Sequence, residues 1–237
     1  MNGLLLLGDG AQRIYAGGFK LRQAGVEVRG RTTVLRSNYR NTSEILSAAM
    51  SVAGDADVDD LAEEFRRGDE KADADRHGSK PLLVEARNLV GQLDEVVRRV
   101  RKLDQRGNVS LGDIGVLVPT NRAVAQVVDR LKADRIGVQE LDRYDGRPTD
   151  LVKVGTYHRG KGLEFKAVFL PGLSKSLFPR PPGDGDSAEE AAEANDLAIS
   201  QLFVAMTRAR DVLVVLYDGE PADVIAARAD RFERVTA

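Results

Sequence analysis

At 237 residues, with 42% hydrophobic and 30% charged side chains, the sequence has the composition of a globular chain of one or two domains, light in large rings at 5% aromatic. It has no cysteine, which excludes disulfides and thiolate metal sites, and no apolar run near the ~18 residues that a membrane helix needs. The 35 basic and 37 acidic residues nearly cancel, so binding to nucleic acid has to rest on a local surface; a cytoplasmic location is expected.

Residues 4–7 form a continuous apolar run closed by Gly8-Asp9-Gly10, the pattern of a buried parallel strand with a loop at its carboxyl end. Nothing precedes that strand to pair with it, so the sequence is expected to be the later part of a longer protein. Residues 33–35 read as a second strand, and Asn38-Tyr39-Arg40-Asn41 as the loop after it. Thr42 or Ser43 then caps a helix through Met50, with Ile45, Leu46 and Ala49 on one face. Residues 54–80 carry Asp55, Asp57, Asp59, Asp60, Glu63 and Glu64 with few apolar anchors, which predicts an exposed, partly helical acidic excursion.

Order resumes at 82–84 with a strand, followed by an amphipathic helix over 92–103 built on Leu93, Val96, Val97 and Val100. Residues 114–118 are the next strand and 122–131 the helix after it. Residues 138–141 lead through a turn at 144–148 into a short apolar run, Leu151, Val152 and Val154. A glycine-rich loop follows, then a β-prone run at 167–170 that stops at Pro171-Gly172. After a Pro, Gly and Asp-rich stretch, residues 196–210 are the strongest helix, with Leu197, Ile199, Leu202, Phe203 and Met206 inward, and residues 212–217 are an all-apolar strand that closes the sheet. The alternation predicts an α/β fold: a mainly parallel sheet with helices on both faces, in which ligands bind at the carboxyl ends of the strands.

The glycine-rich loop imitates a phosphate loop. Gly155, Gly160 and Lys161 match the start of G-x-x-x-x-G-K-[ST], but Gly162 supplies no hydroxyl, and the apolar run after it reads as a strand instead of the helix that such a loop should open. A self-contained nucleotide hydrolase built on these residues is therefore disfavoured.

Four segments, in order, resemble the motifs of the UvrD/Rep-type superfamily 1 DNA helicases: GDGAQRIY (8–15), NYRNT (38–42), TYHRGKGLEF (156–165) and VAMTRAR (204–210). The resemblance covers most of the chain and implies a RecA-like second motor domain over residues 31–237, preceded at 1–30 by a remnant of the first. Such proteins clamp ATP between two motor domains and walk along single-stranded DNA. The resemblance implies that Gln12, Arg40 and Arg208 lie at the γ-phosphate as catalytic residues, that Tyr39 stacks on adenine, that Glu164 accepts from the ribose hydroxyl, and that Gly162 lets backbone approach the nucleotide. It implies DNA contacts from Tyr15, Thr156 and His158, with Asn121 as a further phosphate contact.

Arg40 and Arg208 are accordingly expected to project from adjacent strand ends toward a shared cleft whose far wall is the first motor domain. The phosphate loop and the acidic ligands of Mg2+ are expected in that partner domain, so this segment alone is expected to hydrolyse nothing and to hold no metal. Polarity would be 3′ to 5′. The sequence departs from the family at Ala16-Gly17-Gly18, where an aromatic base platform is usual, and at Leu197-Ala198-Ile199-Ser200, where the lead-in is usually charged. The alternative to a motor is a degenerate, non-enzymatic scaffold for DNA or protein.

Overall fold

A computed structural model describes residues 37–54, 73–74, 76–181, 183, 185 and 187–237. The strands expected at 4–7 and 33–35, the sites Gln12 and Tyr15, and most of the acidic excursion lie outside the described residues.

Strands that are apolar at every position need cover on both faces, and the sheet supplies it. Seven strands, β3 (Leu82–Ala86), β4 (Ile114–Val118), β5 (Val138–Glu140), β6 (Val152–Thr156), β7 (Phe165–Leu170), β8 (Ala209–Asp218) and β9 (Glu233–Thr236), lie in the order β5-β6-β4-β7-β8-β3-β9. All their pairings are parallel. A separate parallel pair joins β1 (Ser37–Asn38) to β2 (Asp73–Ala74). Because successive side chains on a strand point to opposite faces, the central strands β4, β7, β8 and β3 feed two cores. Leu83, Val168, Leu170, Leu213 and Val215 pack on one side with α1 (Ser43–Ala53) and α4 (Ala188–Met206). Val84, Ala167, Phe169, Val214 and Leu216 pack on the other with α2 (Leu89–Gln105) and α3 (Asn121–Ala133). A short α5 (Asp223–Ala226) completes the first layer.

Each long helix begins at a side-chain cap. Thr42, Asn88 and Thr120 accept from the backbone N–H three residues on, and Ser187 with Glu190 forms a reciprocal capping box. Capping fixes the start of α4 at Ala188, within the stretch 174–193 that reads as a loop turning into an Ala/Glu helix start ahead of the strong helix at 196. The helix also ends earlier, at Met206. Thr207 caps it, and Arg208 N–H turns back to Ala205 O at 3.2 Å, a tighter closure that leaves Arg208 in the turn before β8. Leu197, expected inward, is only half-buried. Nor does the all-apolar strand close the sheet, since β3 and β9 lie outside it. The β9 residues Glu233 and Arg234 are exposed, which is why an edge strand with no apolar alternation carries no sequence signal.

Three charged side chains are buried among the described residues, Glu95, Lys153 and Arg208, and Lys153 is the one within a strand of the sheet. Lys153, in the middle of β6, is 3% exposed. Its Nζ donates to Thr149 Oγ1 at 2.8 Å, Leu151 O at 2.9 Å and Thr149 O at 3.2 Å, and sits 5.4 Å from the Tyr144 ring centre. Burial lowers its pKa from the ordinary 10.5. Lys153→Met keeps the stem but leaves those oxygens without their donor, so it should destabilise the chain by about 2–3 kcal/mol in urea or thermal unfolding. The depressed pKa means that the folded form releases this proton before the unfolded form does. Stability of the wild type should therefore rise with pH over the window that ends near 10.5, and the variant should lose that slope.

Candidate functional site

The site residues separate to two ends of the sheet, and one segment joins them. Thr156 is the last residue of β6 and pairs with Val118 at the end of β4, so it marks the carboxyl ends. Phe165 pairs with Ala209, so Glu164 and Arg208, each one residue earlier, mark the amino ends of β7 and β8. At ~3.3 Å per strand residue the two levels are roughly 20 Å apart. Residues 157–164 run between them without a helix. The ligand end expected at the carboxyl side therefore holds only Asn121, Thr156 and His158 of the eight expected site residues that are described.

At the carboxyl end a polar concavity of about 370 Å³ brings together Asn121, Thr156 and His158, three of the four expected DNA contacts. Tyr15, the fourth, lies outside the described residues. Asn121 is carried there by the start of α3, whose cap is the Thr120 hydroxyl. Thr156 Oγ1 accepts from Arg159 N–H at 3.3 Å, so the threonine also closes its own turn. Arg159 pairs with Asp142 at 2.5 Å across the concavity, and Gln201 of α4 lines it as well. The sequence reading missed these three residues. Arg159 lies within a quoted motif, but Asp142 and Gln201 lie outside all four. The arrangement presents amide, imidazole and guanidinium donors, which suits phosphate oxygens and carries no base readout.

The carboxyl ends of β7 and β8, in contrast, are sealed. Gln92, fully buried, donates to Asp218 Oδ1 at 2.5 Å and accepts from Gly172 N–H at 2.7 Å, while the Ser174 hydroxyl donates to the same Asp218 oxygen at 2.6 Å. A satisfied buried network of this kind makes a rigid plug.

At the amino end three distant segments converge. Arg40 Nε donates to Glu164 Oε2 at 3.1 Å, with both side chains a little over two-fifths exposed. Arg208 is held against the residue before Glu164, its Nη1 donating to Leu163 O at 3.3 Å. Its Nε donates to Val204 O at 3.0 Å and its Nη2 to Thr207 Oγ1 at 3.1 Å. Arg208 is only 2% exposed, which corrects the expectation of a guanidinium reaching into an open cleft. The physical reason is the early end of α4: last-turn carbonyls need donors, and the guanidinium joins the Thr207 hydroxyl in bonding Val204 O. Arg40, by contrast, lies at the surface.

Tyr39, one residue before Arg40, is 71% exposed, so its ring is not part of the core. Gly162 adopts φ +84°, a turn conformation that a β-carbon disfavours, and this accounts for the glycine without a ligand. The other glycines of the apparent phosphate loop answer to packing. A β-carbon on Gly155 would lie 2.7 Å from Leu141, and one on Gly160 3.0 Å from Leu117. The loop leads into β7 and not into a helix, as expected. Among the described residues no group of three or more His, Asp or Glu is placed to hold a metal ion, and no helix is long and apolar enough to cross a membrane.

With this geometry in view, comparison with known proteins is informative. The sequence profile of the UvrD-like helicase C-terminal domain matches residues 33–145 and 139–220. A probable DNA helicase of Mycoplasma pneumoniae is 26% identical over 226 residues, 90% of this chain and 38% of the relative. The ATP-dependent DNA helicase PcrA of Staphylococcus aureus is 34% identical over 85 residues, 34% of this chain and 10% of the relative. The chain thus spans well under half the length of these relatives. The crystal structure of the C-terminal domain of a possible DNA helicase from Lactobacillus plantarum shares the fold, with TM-score 0.60 at 17% identity over 83% of this chain and 98% of that one. With the profile matched over most of its length, this chain belongs to the UvrD-like helicase C-terminal domain family.

Proposed function

We propose that this chain is the second motor domain of an ATP-dependent DNA helicase or translocase, of 3′ to 5′ polarity, supplying half of an ATP site and part of a single-stranded DNA track. In this reading residues 31–237 form the motor domain, residues 1–30 belong with the first, and the protein works in the cytoplasm. The observation that carries it is the convergence of Arg40, Glu164 and Arg208, from three separate segments, at the amino ends of β7 and β8.

The chemistry fits a nucleotide whose phosphates are presented by a facing domain. A transferring phosphoryl group spreads negative charge over its oxygens, and catalysis consists of placing fixed positive charge against it. Arg208, anchored through Nε, Nη1 and Nη2, has little reorganisation left to undergo. Arg40 makes a solvent-screened pair with Glu164, a contact of order 1 kcal/mol or less that a phosphate displaces readily. Glu164 is then released toward the ribose, and the exposed ring of Tyr39 is free to cover the base. Gln12 would orient the attacking water. The donors present fit the phosphate side of ATP, whereas the phosphate loop and the carboxylates for Mg2+ belong to the first motor domain. When bound, MgATP supplies the phosphoryl group whose transfer drives closure of the two domains on the strand.

At the other end of the sheet, Asn121, Thr156 and His158, joined by Tyr15, would hold phosphates of the single strand. The burial of Arg208 favours one competing reading, a scaffold that binds DNA without hydrolysis, because a guanidinium locked in the interior does no phosphate chemistry.

DNA-stimulated ATP hydrolysis separates the two. It should appear only in a polypeptide carrying both motor domains, and Arg40→Ala or Arg208→Ala should each lower kcat by about 10³-fold. Hydrolysis by residues 1–237 alone, or full activity in both variants, would sink the motor reading. Independently, His158→Ala and Asn121→Ala should weaken binding of single-stranded oligonucleotides by about threefold to tenfold, equally for homopolymeric and mixed sequences, as measured by fluorescence anisotropy at fixed salt. A loss restricted to one base composition would argue against phosphate contacts.

A further inference from the structure

The two arginines are set relative to each other by a residue between them in function and beside one of them in sequence. Asn41 follows Arg40 directly and is 1% exposed. Its Nδ2 donates to Thr207 O at 3.0 Å and to Ala209 O at 2.5 Å, the carbonyls on either side of Arg208. The next backbone N–H, that of Thr42, donates to Arg210 O at 3.3 Å. The carbonyl of Arg208 itself accepts from Phe165 N–H at 3.0 Å. Arg208 is thus gripped from two sides, by β7 through its own carbonyl and by the Arg40 loop through its neighbours' carbonyls.

The place of this contact follows from a gap beside β8. Phe165 N–H bonds Arg208 O, so β7 lies on that side of the strand and the carbonyls of Thr207 and Ala209 point to the other. There β3 pairs with β8 only from Val214 onward, and among the described residues it is the Arg40 loop that lies against the earlier stretch. Buried carbonyls at such a gap need donors from elsewhere. A carboxamide is the one short side chain with two donors on a single atom. Serine offers one, alanine none, and aspartate would set a carboxylate against two carbonyl oxygens. The loop is braced behind as well, since Arg76 Nη1 donates to Arg40 O at 2.6 Å and Arg76 Nη2 to Asp211 Oδ1 at 2.5 Å.

We propose that Asn41 is a positioning residue for ATP hydrolysis: by tying the Arg40 loop to the Arg208 turn, it sets the spacing of the two guanidiniums. It touches no substrate and acts through both arginines. The inference rests on the assignment of Arg40 and Arg208 to the γ-phosphate made under Proposed function.

The test uses the full-length protein and DNA-stimulated ATP hydrolysis, with thermal unfolding measured in parallel. Asn41→Ala should lower kcat by about 10²-fold, the usual cost of misplacing a catalytic group by about an ångström, with the KM for ATP changed less than about threefold. Asn41→Ser, which retains one donor, should fall between Asn41→Ala and wild type in both rate and unfolding midpoint, and it carries the test if the alanine variant fails to fold. In an Arg208→Ala background, Asn41→Ala should add less than about threefold, because the spacing it sets has lost one of its two members.

A wild-type kcat in both Asn41 variants, beside a large loss in Arg208→Ala, overturns the positioning role and leaves the arginine assignment intact. An undiminished Asn41→Ala effect in the Arg208→Ala background overturns it too, as a purely structural contribution would give. Wild-type rates in both Arg40→Ala and Arg208→Ala remove the arginine assignment and this inference together.

Discussion

The handover from α4 to β8 is the constraint on which the amino end of the molecule depends. A helix that stops at Met206 leaves its final carbonyls short of donors, and a strand that begins at Ala209, before β3 joins it at Val214, leaves carbonyls on that side without a strand partner. Both deficits lie within a few residues of Arg208, and both are met by polar side chains: its own guanidinium toward Val204, and Asn41 toward Thr207 and Ala209. Unmet, each of those buried groups would cost about 1–3 kcal/mol. Stability and site geometry thus draw on the same bonds, so they are not separable by inspection at these residues.

The second organising feature is the division of labour between the two ends of the sheet. The carboxyl ends of β7 and β8 are plugged by Gln92, Ser174 and Asp218, which leaves the β4 and β6 side as the open polar surface there. The arginines lie at the opposite rim. A parallel sheet makes this possible because every strand presents the same polarity, so a crossover segment necessarily begins at one rim and ends at the other.

How much of this was legible in the sequence depended on the kind of signal. Residues 114–118 were read to the residue because five consecutive apolar positions bounded by loop residues admit few alternatives. The start of α1 was legible from Thr42, a capping side chain before an apolar face. The end of α4 was not, since Thr207-Arg208-Ala209-Arg210 contains neither glycine nor proline, and the helix is stopped by pairing with a strand more than forty residues earlier in the chain. Strand β9 was missed because its charges face solvent at an edge. Within the site, motif spacing brought Arg40, Glu164 and Arg208 onto one short roll of residues. The exposure of each is a tertiary property, however, and composition says nothing of it. Asn41 was invisible for the same reason: its role is written in two carbonyls that have no residue type.

The helix-free crossover at 157–164 has a mechanical consequence. It must cover roughly 20 Å of strand direction while passing across β4, and within that span Gly160 N–H bonds Thr156 O at 3.1 Å and Leu163 N–H bonds Gly160 O at 3.1 Å. Turns consume length, so little slack is left. Such a segment behaves as a tie rod: a load that shifts Thr156 along the strand axis either drags Glu164 or shears β6 against its neighbours, and the buried faces of Tyr157 and Phe165 resist the shear.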